Sequence, residues 1–159
     1  MGDIGLKLRT ALGDTFRGRT LLPGEEGYDT ARRVWNGTVD KFPALLAFCE
    51  SPQDVAAAVR AAQDVGVPLS VRGGGHQIAG LSMCDNGLTI DLSRMNTVGL
   101  SADATMATAG GGCLLGDVDT ANAEAGRIVP AGVVSHTKET WSGPIPQKFS
   151  TVVLLAVAP

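Results

Sequence analysis

The chain has no run of like charge and no long apolar segment, and both absences narrow its partners. Its 13 basic residues are outweighed by 16 acidic ones, for a net charge of −3. Without a basic stripe there is no electrostatic footprint for nucleic acid or for an anionic membrane surface. The N-terminal stretch Met1-Gly-Asp-Ile-Gly-Leu-Lys-Leu has no apolar signal-peptide core, and Leu6 stands where a myristoylation signal needs Ser or Thr. The last apolar run, Thr151 to Ala158, falls far short of the roughly 18 residues of a membrane span. A soluble, cytoplasmic chain with no export signal is expected. Cysteine is scarce as well. Cys49, Cys84 and Cys113 are too far apart for a C-x-x-C metal or redox pair, and an odd number argues against a disulfide framework, so they read as buried or partly buried thiols. No G-x-S-x-G elbow occurs, and neither His76 nor His136 has a motif-placed serine, which disfavours a hydrolase.

What is present is glycine, 21 residues of it, in a chain of 159 residues that is 44% hydrophobic. That length makes one domain, with room for an incomplete second lobe, and the composition is globular and rich in turns. The densest cluster is Ser70-Val71-Arg72-Gly73-Gly74-Gly75-His76-Gln77-Ile78-Ala79-Gly80. Three consecutive glycines let a backbone take positive φ angles and approach a ligand closely. Successive N–H groups in such a turn form a concave anion nest, for which a diphosphate is the natural guest. Two known motifs are excluded by spacing. A Walker P-loop needs Lys and then Ser or Thr after its last glycine, and G-x-G-x-x-G read from Gly73 and Gly75 meets Ile78 where the third glycine belongs. On the residues alone, a cofactor clamp and a tight strand-ending turn with a hydrogen-bonded histidine both stay open.

The surroundings of the cluster suggest a β-α-β unit. Residues 5–12 fit a short amphipathic helix, 20–27 a loop, and Tyr28 to Val34 a second short helix. Trp35-Asn36-Gly37 is a turn signal, and Ala44 to Cys49 a strand. Ser51 and Pro52 open a helix that runs to Val65, with Asp54 completing the cap, Val55, Val59 and Ala62 facing the core, and Gly66 as the stop. Val67 to Val71 is the second strand, paired parallel, so the glycine cluster lies at a strand's carboxyl end, where open α/β sheets bind ligands. Strands follow at Leu88 to Leu92, Thr97 to Leu100 and Thr105 to Ala109. Gly110-Gly111-Gly112 either borders a cofactor or makes a tight bend, the bend being favoured. Leu114 to Ala125 is a helix with Leu115, Val118 and Ala121 inward, and Ile128 to His136 is irregular.

Four stretches together resemble the flavin-binding domain of the berberine-bridge-enzyme-like oxidoreductases, a branch of the vanillyl-alcohol-oxidase superfamily. They are Tyr28-Asp-Thr-Ala-Arg-Arg-Val-Trp35-Asn36-Gly37, the cluster Ser70 to Gly80, Gly87-Leu-Thr-Ile-Asp91-Leu-Ser93-Arg-Met95, and Pro130-Ala-Gly132-Val-Val-Ser-His136-Thr137. The resemblance implies an α+β fold, a two-lobed PCMH-type FAD-binding domain built on β-α-β units. It divides the chain into an extension at 1–27, the FAD-binding domain at 28–137 and a divergent tail at 138–159. It also implies covalent FAD, with a neutral His76 imidazole nitrogen attached at the flavin 8α-methyl and the N–H groups of Gly73, Gly74 and Gly75 on the diphosphate. Arg72, Gln77, Ala79, Gly80, Pro130, Gly132, Ser135, His136 and Thr137 fall where the family surrounds its cofactor; for His136 an exposed loop imidazole is as well supported. Some relatives add a second bond from cysteine, and Val134 occupies that position here, so a single attachment is expected.

After Thr137 the sequence departs from the family. Lys138-Glu-Thr-Trp141-Ser-Gly-Pro144-Ile-Pro146 stands where a glycine-rich stretch would complete the flavin site, and no catalytic base is evident. The expectation is the N-terminal portion of an FAD-linked oxidase or dehydrogenase acting on a small organic substrate, truncated and weakly active or inactive alone. A reversible nucleotide-binding module and a non-functional remnant are the alternatives. Covalent against reversible flavin separates them.

Overall fold

The structure, a computed structural model, describes residues 2–129 and the backbone of the strand Leu155–Ala156. Its most locally determined element is α3 (Pro52–Val65), preceded by α1 (Gly2–Leu12) and the one-turn α2 (Tyr28–Ala31). The Asp54 N–H donates to Ser51 Oγ at 3.2 Å, and Pro52 fills the first turn. Gly66 ends the helix in a left-handed conformation, its N–H returning to the carbonyls of Ala62 and Gln63. The buried face is rotated from the expected valine stripe: Ala57, Ala58, Ala61 and Ala62 are buried, while Val55 and Val59 are partly so. Alanines let the helix lie close on Leu45, Ala47, Leu88 and Ile90, whereas branched side chains would hold it off. Asp54 also departs from its expected part. Fully buried, its Oδ1 accepts from the Arg17 N–H at 2.8 Å and its Oδ2 from the Glu50 N–H at 3.0 Å, which ties the segment after α1 to the start of α3.

The first sheet has the order β1-β2-β4-β3, formed by β1 (Arg19–Leu21), β2 (Leu45–Phe48), β3 (Leu69–Arg72) and β4 (Leu88–Asp91). The parallel direction is as expected, but β2 and β3 are not neighbours. β4 lies between them, with Leu88 opposite both Leu45 and Leu69. A central strand is covered on both faces, so all of β4 is buried. Its polar residues are paired within the sheet, Thr89 Oγ1 with Ser70 Oγ at 2.8 Å. β1, in a stretch expected to be loop, runs antiparallel to β2. α1 packs on α3, and Leu8 and Leu12 enter the same core as the sheet.

A second, antiparallel sheet comprises β5 (Val98–Leu100), β6 (Met106–Ala109) and β7 (Leu155–Ala156). β6 alternates between exposed and buried residues, and Val118 of α4 (Leu115–Glu124) packs on Ala109 and Val129. The chain turns at 110–112, the Cys113 N–H donating to Gly110 O at 2.9 Å, and a Cβ on Gly110 or Gly112 would stand 1.9 Å from the carbonyl oxygen of Met95 or Leu92. Among the described residues no helix is long and apolar enough to cross a membrane, and the three cysteines are free.

Candidate cofactor site

β3 ends at Arg72 and releases the chain into the glycine loop at the carboxyl end of the three parallel strands. The loop's carbonyls are tied down from below. The Trp35 N–H donates to Gly75 O at 2.9 Å, and Asn36 Nδ2 donates to Ile78 O at 2.8 Å. Lys41 Nζ donates to Gly80 O at 2.9 Å and to Met83 O at 3.0 Å. The other side of the loop is different. Among the described residues, no acceptor meets the backbone N–H of Gly73, Gly74, Gly75, His76, Gln77, Ile78 or Ala79. Gly73 and Gly75 are nevertheless buried. A buried N–H without a partner costs about 1–3 kcal/mol, and successive N–H groups of this kind suit an anion with several oxygens.

Arg72 does not reach toward that donor face. Its Nη1 donates to the Ala31 carbonyl and lies 3.4 Å from Asp91 Oδ2, while Asp91 Oδ1 accepts from the Ser93 N–H at 2.8 Å. The guanidinium thus lies against the loop from within. At Gly75, where φ is +71°, a Cβ would stand 3.1 Å from Arg72 Nε.

His76 is half-buried, its ring centroid 6.3 Å from that of the exposed Trp35 with the planes inclined by 36°. Gln77 closes the turn on itself: its Oε1 accepts from the Leu81 N–H at 2.6 Å, and its carbonyl from the Gly80 N–H at 3.2 Å. Ala79 is exposed. The expected residues Arg72 to Gly80 therefore share one loop, whereas Pro130, Gly132, Ser135, His136 and Thr137 lie outside the described residues. Lys41 and the reach of Asn36 were not anticipated. Lys41 sits in a stretch with no motif, and Asn36 reads locally as a turn former. Tyr28, the only tyrosine, is committed elsewhere: its buried hydroxyl donates to Pro43 O at 2.6 Å, and burial raises its pKa above the usual phenol range.

A glycine loop whose N–H groups meet no acceptor among the described residues, at the carboxyl edge of parallel strands in an α+β fold, lies where such folds bind ligands. The chain belongs to the FAD binding domain family, which it matches over residues 43–148. It is 35% identical over 137 residues to (R)-6-hydroxynicotine oxidase of Paenarthrobacter nicotinovorans, covering 86% of this chain and 29% of that enzyme. Among solved structures it matches BBE-like 1 of Physcomitrella patens with a TM-score of 0.71 at 31% identity, over 79% of this chain and 28% of that one. It also matches glucooligosaccharide oxidase of Acremonium strictum, which carries 6-S-cysteinyl, 8α-N1-histidyl FAD. There the TM-score is 0.73 at 29% identity, over 79% of this chain and 27% of that chain. These relatives are berberine-bridge-enzyme-like FAD oxidases, and this chain spans less than a third of their length. The chain is an FAD-binding domain of the FAD-linked oxidoreductases.

Proposed function

We propose that this chain holds FAD covalently through His76 and forms the cofactor-binding part of an oxidase or dehydrogenase for a small organic substrate. The observation that carries the proposal is the donor run from Gly73 to Ala79, with His76 standing inside it. The N–H groups of Gly73, Gly74 and Gly75 hold the diphosphate, and the His76 imidazole bonds the 8α carbon. Forming that bond takes one hydrogen from the imidazole N–H and one from the 8α-methyl. Dioxygen would be the oxidant that takes up those two hydrogens as hydrogen peroxide. Once bound, FAD supplies a two-electron acceptor for hydride.

The remaining residues act by position. Gln77 and Gly80 keep the loop closed, Arg72 supports Gly75 from within, and Ala79 leaves the rim open. Pro130, Gly132, Ser135, His136 and Thr137 are proposed to contribute to cofactor binding within a portion at 28–137, between an extension at 1–27 and a tail at 138–159. Val134, where some relatives have cysteine, leaves His76 as the single attachment. No base is assigned: the Tyr28 hydroxyl is spent on Pro43, so the chain alone is expected to show little or no turnover.

Incubation with FAD followed by acid precipitation tests the attachment. Yellow colour should stay with the protein pellet and be absent from the pellet of His76→Ala. Colour released into the supernatant by the wild type would refute covalent binding and favour a reversible nucleotide site.

A further inference from the structure

Two carbonyls, those of Gly75 and Ile78, flank His76, and one dipeptide pins both. The Trp35 N–H holds Gly75 O, and the Asn36 side chain holds Ile78 O. The orientation of the Asn36 amide follows from its other contacts. Its Oδ1 accepts from the Thr38 N–H at 3.1 Å and from Thr38 Oγ1 at 2.8 Å, which leaves the NH2 group facing Ile78. The Trp35 indole stands beside the imidazole, the ring centroids 6.3 Å apart. A turn former alone would need only the Thr38 bonds. The reach from Asn36 to Ile78, across 42 positions that include β2 and β3, serves the loop instead.

We infer that Asn36 is a positioning residue for His76, fastening the glycine loop on the far side of the histidine while Trp35 fastens the near side. The inference rests on His76 being the flavin attachment. A glycine-rich segment has high backbone entropy, and a bond-forming approach requires the nitrogen within about 3–3.5 Å of its target carbon in the right direction. Pinning the carbonyls on both sides of His76 removes that freedom without occupying any N–H of the donor run.

Asn36→Asp separates the two parts Asn36 plays. The carboxylate still accepts from Thr38 but cannot donate to Ile78 O. Asn36→Ser, whose hydroxyl can cap the same turn but is too short to reach Ile78, is the second variant. Each is incubated with FAD, and the rate of acid-stable flavin formation is compared with reversible FAD affinity. The rate should fall about tenfold or more, and by a larger factor than the affinity. An independent readout needs no flavin: the His76 imidazole proton resonance, assigned by its loss in His76→Ala, carries a ring-current shift from Trp35 and should move toward the free-histidine value in both variants. Wild-type rates with an unmoved resonance in both variants would overturn the inference. Absence of acid-stable flavin in the wild type would overturn only the covalent attachment, and the resonance would then decide the positioning by itself.

Discussion

Replacing Gly75 with alanine should weaken both the fold and the cofactor site, and Gly66 provides an internal control. The two glycines have nearly the same left-handed φ, +71° and +73°. A side chain in that conformation costs about 1–2 kcal/mol. The change in unfolded-state entropy from glycine to alanine is common to both and cancels in their difference. What differs is the space. A Cβ on Gly66 meets nothing within 4 Å, whereas one on Gly75 stands 3.1 Å from Arg72 Nε and 3.5 Å from Nη2. That guanidinium is held by Ala31 O and Asp91, so it yields only by loosening a charge-assisted hydrogen bond worth about 1.5–3 kcal/mol. Losing part of it sets the excess of Gly75→Ala over Gly66→Ala at about 1–2 kcal/mol. Urea unfolding followed by circular dichroism measures that difference. A flavin titration should show weakened FAD binding for Gly75→Ala and unchanged binding for Gly66→Ala. Equal stability loss in the two variants would refute the role given to the Arg72 contact.

Tyr28→Phe strands the buried Pro43 carbonyl and should lower stability by about 1–3 kcal/mol in the same urea assay. In the wild type the phenol titrates above its usual value, so the unfolded chain ionises first. Stability should therefore fall as pH rises past about 10, and absorbance at alkaline pH reads the single tyrosine directly. Burial pushes the Cys49 thiol up to about 12, with the Asp54 and Asp91 carboxylates adding to the effect. A thiol reagent at mildly alkaline pH should leave Cys49 unlabelled until the chain unfolds, as peptide mapping would show. Glu25 has the opposite shift. Arg9 Nη1 and Nη2 and the Leu22 N–H hold its carboxyl at about 2, below its ordinary 4.5. Its contribution is present above pH 4.5 and lost as pH falls toward 2. At 39% side-chain exposure the pair is worth less than about 1 kcal/mol, so the small melting difference between wild type and Glu25→Gln at neutral pH should vanish in acid.

Features set by neighbouring residues were legible. Ser51, Pro52 and Gly66 bracket α3 because a cap, a fixed φ and a left-handed stop are local chemistry. The bend at Gly110 and Gly112 was legible too, since only glycine tolerates a carbonyl so near its Cα. Strand order was not. Nothing between residues 45 and 72 announces that a later strand will lie between β2 and β3, because that choice is made by which faces can be covered. β1 was missed for the same reason, its partner being a strand more than twenty positions on. In the site, the glycine loop and His76 stood out by composition. Lys41 and Asn36 did not, because each holds a carbonyl some forty residues away and neither residue type specifies such a partner.

The insertion of β4 also has a consequence for the order in which the chain is made. When synthesis has reached Arg72, β2, which β1 already flanks, and β3 have no edge to share with each other, and the slot between them waits for Leu88 to Asp91. Until that segment leaves the ribosome, two open edges rich in leucine and valine are available to any passing strand. The fifteen residues that delay the closure, from Gly73 to Gly87, include the cofactor loop itself. Lengthening that connection should therefore lower soluble yield even where the finished fold accommodates the insert, and chains stalled before and after β4 has emerged from the ribosome would differ in their retention by chaperones.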